Sequence, residues 1–208
     1  MSSTGRECSP YKPLDHRGID DLHSPGTGKT STIIESVIHL VRRDAGARVL
    51  ACTPSDAATD LFVERLAAAG MDLARIYRLD ASSFCEEDMS DDSETFSRIP
   101  GHDRLLVFSV IVSTCPKAAI LMDLNVPVGH FSHIVIDDAA QAEEPLVMIP
   151  IMTFSNASTN IILAGDPNQV GPNIESPTAA RSGLAKSYFE RSMLIRDVYG
   201  LDTQGGKT

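Results

Sequence analysis

Tryptophan is absent from the 208-residue sequence, and aromatic residues make up only 5% of a chain that is 42% hydrophobic. That aliphatic bias fits an α/β core better than a β-sandwich or a disordered chain. No apolar run reaches the roughly 18 residues a membrane-spanning helix needs. The N-terminal stretch MSSTGRECSPYKPLDHRG has no apolar signal core, so no membrane partner is expected and the expected address is the cytoplasm. The cysteines at positions 8, 52, 85 and 115 lack CxxC spacing, and the six histidines do not complete a ligand set with them, which argues against structural zinc. Cations are also in deficit. With 18 Lys and Arg against 28 Asp and Glu, the net charge of -10 excludes binding of nucleic acid by blanket phosphate neutralisation, so any such contact must be local.

What is present reads as one α/β domain, since the length is too short for two of ordinary size. Residues 1–22 are polar and aperiodic, an irregular leader. Apolar residues recur at helical spacing from Lys29 to about Arg43, RVLACT (48–53) reads as a strand, and Ser55 to Ala69 reads as a helix stopped by Gly70. EEDMSDDSE (86–94) is an acidic, solvated insert. Apolar runs at Leu105–Val112, His133–Ile136 and Asn160–Ala164 alternate with expected helices near 116–122, 141–151 and 184–196, followed by a tail over 197–208. Continuous apolar strands separated by helices indicate a mostly parallel sheet covered on both faces. Ligands of such sheets sit at the carboxyl ends of the strands.

Three segments carry chemistry. SPGTGKT (24–30) opens the first helix. Backbone N–H groups of a Gly-rich turn wrap phosphates, Lys29 reaches the β and γ phosphates, and Thr30 offers a hydroxyl to Mg²⁺. The plain alternative is a Gly-rich turn with an incidental lysine. His23 stands where the phosphate-loop pattern wants Gly, and RGIDDLH (17–23) is a poor version of the strand that normally leads into such a loop. HIVIDDAAQAEEP (133–145) ends an apolar strand in adjacent acids. Asp137 is placed to hold Mg²⁺ and Asp138 to orient or deprotonate a water, although two acids after a strand can also be a helix cap. IILAGDPNQVGP (161–172) ends a further strand, and Gln169 can sense a γ-phosphate; in isolation it would be a strand and a Pro/Gly turn.

Together GTGKT, TPSDAATD (53–60), IDDAAQAEEP, LAGDPNQVGP and SPTAARSGLAKSYFERSM (176–193) resemble the up-frameshift-like branch of superfamily 1 RNA helicases, in particular the Armitage and silencing-defective type. The resemblance spans residues 23–196 and implies the first RecA-like, P-loop NTPase domain. It implies ATP and Mg²⁺ as cofactors, with Pro25, Gly26, Thr27, Gly28, Lys29 and Thr30 as the phosphate loop and Thr30 and Asp137 on the metal. Lys29, Asp137, Asp138 and Gln169 would be catalytic. Pro54, Ser55, Asp56 and Ser109 would make weak, local contacts to single-stranded RNA. RNA-silencing proteins are the implied partners.

Departures temper these expectations. The family's Asp-Glu pair is Asp137-Asp138, one methylene shorter, and Asp56 stands where Asn is usual. The chain stops at Thr208, before the motifs of a second RecA-like domain that would donate arginine fingers, a contribution of about 10³-fold or more in rate. The expected function is therefore an RNA helicase's ATP-binding domain, weak or inactive alone. A catalytically dead RNA- or protein-binding module is the alternative, and a small-molecule kinase is disfavoured by Gln169. His130 and His133 are expected at a surface or strand edge, and Cys52 and Cys115 as small hydrophobes.

Overall fold

The computed structural model describes residues 28–80, 100–166 and 170–198. The leader, the acidic insert and the tail beyond residue 198 lie outside the described residues. Helix α1 (Lys29–Arg43) leads to β1 (Val49–Thr53), α2 (Asp56–Ala68) and β2 (Ile76–Arg78). A short α3 (His102–Leu105) precedes β3 (Val110–Thr114), and α4 (Ile120–Asp123) precedes β4 (His133–Ile136). Then come α5 (Glu144–Phe154), β5 (Asn160–Leu163), the single turn α6 (Pro177–Ala179) and α7 (Tyr188–Val198). Among the described residues the five strands form one sheet in the order β2-β3-β1-β4-β5, and every pairing is parallel.

The side-chain period of a strand explains how this sheet carries two cores. Val49 and Ala51 of β1, with Val110 and Val112 of β3, pack against Ile33, Ile34, Val37, Ile38 and Val41 of α1 and Phe62 and Leu66 of α2. Leu50, Cys52, Ile111, Ile134 and Ile136 face the other way, onto Leu121, Val147, Ile151, Phe154 and Phe189. All five positions of β1 and of β3 are buried. That is why their sequences are unbroken apolar runs rather than alternating ones. Cys52 and Cys115 are ordinary members of this core.

Several boundaries differ from the sequence reading, including those of α4, which begins at Ile120 rather than near 116, and α5, which covers Glu144–Phe154 rather than 141–151. The run from Leu105 to Val112 is not one strand: Leu105 ends α3, and β3 begins only at Val110. Leu105 is fully buried in either case, and an apolar run cannot by periodicity distinguish a buried helical turn from a strand. The last helix starts at Tyr188 rather than 184, because Gly183 adopts φ 107° and the Ser187 hydroxyl accepts the Glu190 N–H at 3.1 Å. Strand β2, three residues long, carried too little pattern to be expected.

Candidate nucleotide site at the carboxyl ends of the strands

Because all strands run in one direction, their carboxyl ends gather in one place. Gly28 is the N-cap of α1 with φ 80°, a conformation that costs glycine nothing, and its carbonyl accepts the Thr32 N–H at 2.8 Å. The first helical residue, Lys29, is buried and reaches across to the end of β5, where its Nζ lies 3.9 Å from Oδ2 of buried Asp166. Thr30, next along α1, lies near the carboxylate of Asp137 at the end of β4, and its side chain favours the ionised form of that carboxylate. One helix start thus touches the ends of two strands through consecutive residues. Pro25, Gly26, Thr27 and Gln169 lie outside the described residues.

Asp137 is buried, and burial pushes its carboxyl above the ordinary carboxylate value. The Thr30 side chain works against that rise, and the neighbouring charge of Asp138 adds to it. A desolvated carboxylate beside a threonine hydroxyl is a donor pair of the kind Mg²⁺ takes from a protein when phosphate oxygens and water complete its octahedron. Those two side chains fit the ion. Asp138 is half-buried and sits at φ 50°, in the left-handed region that few non-glycine residues occupy other than Asn and Asp. Its N–H donates to Oδ1 of Asp137 at 3.1 Å, which turns the following residue toward β5. There the Ala139 N–H meets the Ala164 carbonyl at 2.7 Å. Gly165 makes that approach possible, since a Cβ on it would stand 2.8 Å from the Ala140 amide nitrogen and 3.4 Å from the ring of Phe189. Sequence reading had not singled out Asp166, Gly165 or Phe189. The Gly-Asp at a strand end was the available signal for the first two.

The second group of expected residues divides. Pro54, Ser55 and Asp56 follow the end of β1 and are exposed. Ser55 caps α2, its hydroxyl accepting the Ala58 N–H at 3.2 Å, while Thr53 and Thr59 share a buried hydroxyl contact at 2.7 Å beneath it. Ser109 is elsewhere. It immediately precedes β3, at the amino end of the sheet, where it is buried and accepts the Arg75 guanidinium N–H at 3.0 Å. Its carbonyl accepts the Val49 N–H at the start of β1. Ser109, which the motif resemblance puts on the same RNA path as Pro54, Ser55 and Asp56, therefore stands at the other end of the sheet from those three residues. The hydroxyl at the carboxyl end of β3 belongs to Thr114, in register with Thr53.

Lys117, just beyond that end, is held by Asp56, whose hydrogen bond keeps the ammonium pKa above its ordinary value despite some burial. At the opposite end His133 starts β4, with Ser132 and Asn160 side chains at its two ring nitrogens. His130 stacks edge-on against Phe131, and burial lowers the pKa of both histidines.

A family model described as an AAA domain matches residues 6–100 and 86–177. The putative helicase mov-10-B.1 of Danio rerio is 39% identical over 184 residues, which are 84% of this chain and 18% of that protein. The RNA helicase Mov10l1 of Homo sapiens is 40% identical over 86% of this chain and 15% of its own length. The probable RNA helicase armi of Drosophila melanogaster is 31% identical over 86% of this chain and 17% of its own. This chain therefore spans less than a fifth of the length of any of these three relatives. A parallel sheet flanked by helices, with Lys29, Thr30, Asp137 and Asp166 meeting at its carboxyl ends, agrees with that match, and the chain belongs to the AAA domain family, as a RecA-like helicase domain.

Proposed function

We propose that this chain binds Mg²⁺·ATP at the start of α1 and serves as the ATP-binding domain of an RNA helicase acting in RNA silencing. The observation that carries the reading is the convergence of Lys29 on Asp166 and of Thr30 on Asp137 at one end of the sheet. Lys29 would hold the β and γ phosphates, with Gly26, Thr27 and Gly28 wrapping them, while Thr30 and Asp137 would hold the metal. The bound metal would neutralise charge that develops on the phosphates. Asp138 would orient the attacking water, and Gln169 would report the γ-phosphate. RNA would run past Pro54, Ser55 and Asp56, with the Thr114 end of β3 in place of Ser109. The RNA-silencing setting, RNA-silencing partner proteins and a cytoplasmic location rest on the motif resemblance and on helicase relatives.

Turnover by this chain is expected to be slow, because Asp138 has one methylene less reach than a glutamate. A fluorescent ATP analogue should bind saturably with Mg²⁺, and Lys29→Ala should weaken that binding at least tenfold. Equal binding by the two proteins, both folded by circular dichroism, would refute the nucleotide site. A second reading, a non-hydrolysing RNA- or protein-binding module, draws on the shortened Asp138. Nucleotide binding with no phosphate release above background, with or without RNA, would select it.

A further inference from the structure

The carboxyl ends of β1, β2 and β3 hold a charged network that the nucleotide site does not use. Lys117 lies 2.6 Å from Asp56 and 3.5 Å from Asp80. Arg78, the last residue of β2, pairs with Asp60 of α2 and stands 3.2 Å from Asp80 and 3.8 Å from Asp56. Two cations are thus shared among three carboxylates. The cations lie underneath, with Lys117 22% and Arg78 24% exposed, whereas Asp56 and Asp60 are 54% exposed and Asp80 42%. Surface pairs of this kind add little to stability. Their larger effect falls on any anion that approaches Arg78 and Lys117.

The geometry points to this network as an internal competitor for the phosphates of single-stranded RNA: Asp56, Asp60 and Asp80 occupy Lys117 and Arg78, and RNA gains those cations only by displacing carboxylates. The inference rests on the RNA reading above. Arginine and lysine bind phosphate with the same donors they give to carboxylate. The network also borders Ser55 and the β3 end, so a strand passing Pro54, Ser55 and Asp56 meets it directly. Asp56 is the carboxylate that reaches both cations, with the shortest contact to Lys117, and it sits in the first turn of α2, where the helix dipole favours negative charge. The network would keep RNA affinity low and make it depend on which anion holds Lys117.

Asp56→Asn removes the charge and preserves the shape. Binding of a fluorescent oligouridine to the whole chain, followed by anisotropy at several salt concentrations, tests the idea. Asp56→Asn should bind about five- to tenfold more tightly, and log K against log salt should steepen by about 0.7 for each phosphate gained. Adding Lys117→Ala should abolish the gain. Asp103→Asn, an equal charge change on exposed α3 before the amino end of β3, should leave affinity within about twofold. Wild-type binding that Asp56→Asn leaves unchanged, or that Asp103→Asn improves equally, overturns the competitor while leaving RNA binding intact. If neither wild type nor Asp56→Asn binds oligouridine although both bind Mg²⁺·ATP, the RNA reading fails and the competitor with it.

Discussion

Asp137 is the residue whose chemistry is most constrained by its surroundings. Burial raises its pKa above that of the unfolded chain, so the folded protein prefers it protonated. Stability from this group is fully present below the unfolded carboxylate value and is lost as pH rises through the raised, folded value. In the absence of nucleotide, Asp137→Asn should therefore raise Tm at pH 7 and leave it unchanged near pH 3. A Tm gain equal at both values would mean that the carboxylate is not penalised by burial. Metal binding has the opposite dependence, because only the ionised form is a ligand. The thermal stabilisation given by Mg²⁺·ATP should fade as pH falls into the raised range, and Asp137→Asn should lack that dependence. The neighbouring Asp138 poses a trade. Its φ of 50° suits aspartate or asparagine better than a longer side chain. Asp138→Glu should lower stability by about 1 kcal/mol, the usual scale of left-handed strain. Phosphate release should nevertheless rise if reach limits turnover; Tm and steady-state phosphate assays read the two effects separately.

At the scale of elements, the coupling of two strand ends matters most. The Ala139 to Ala164 hydrogen bond joins the loop after β4 to the end of β5, and Gly165 is the residue that permits it. Gly165→Ala forces a Cβ against backbone, not against a flexible side chain, so the two ends must separate. The expected result is a loss of about 1–3 kcal/mol in urea unfolding, the range for overpacking, with nucleotide binding weakened more than Phe189→Leu weakens it. Undiminished binding by Gly165→Ala would show that the junction does not position the site. The N-cap of α2 is a simpler case: Ser55→Ala removes the partner of the Ala58 N–H and should cost about 1 kcal/mol by the same unfolding measurement. These elements also show what the sequence made legible. Helix α1, the strand His133–Ile136 and the capped start of α2 were readable because pattern, cap and stop residues agreed. The split of Leu105–Val112 was not, since burial makes a helical turn and a strand equally apolar. Gly165 was visible as a residue, yet its need to lack a Cβ depends on Ala140 and Phe189, which approach it only in three dimensions.

Over the whole molecule, the net charge of -10 works against the approach of polyanions, and the paired Arg78 and Lys117 at the carboxyl ends add to that locally. The two cores impose a different, global condition. Phe62 serves one face of the sheet and Phe154 the other, both fully buried. Truncating either to alanine should cost about 3–5 kcal/mol. Because one sheet backs both cores, each change should lower a single cooperative transition, seen as coincident loss of far-UV and near-UV circular dichroism. The common direction of the strands has a further consequence. A five-residue strand is about 15 Å long, so Arg75 and Ser109 at the amino ends stand well beyond the range at which substitutions usually interact with Lys29 or Asp137. Free-energy changes made at the two ends should sum. Ser109→Ala combined with Lys29→Ala should give an unfolding free energy within about 0.5 kcal/mol of the value expected from the separate variants. One end of the sheet can thus accumulate substitutions, or loss of them, without the other end registering the change, and binding can drift independently of the reserve of stability that tolerates it.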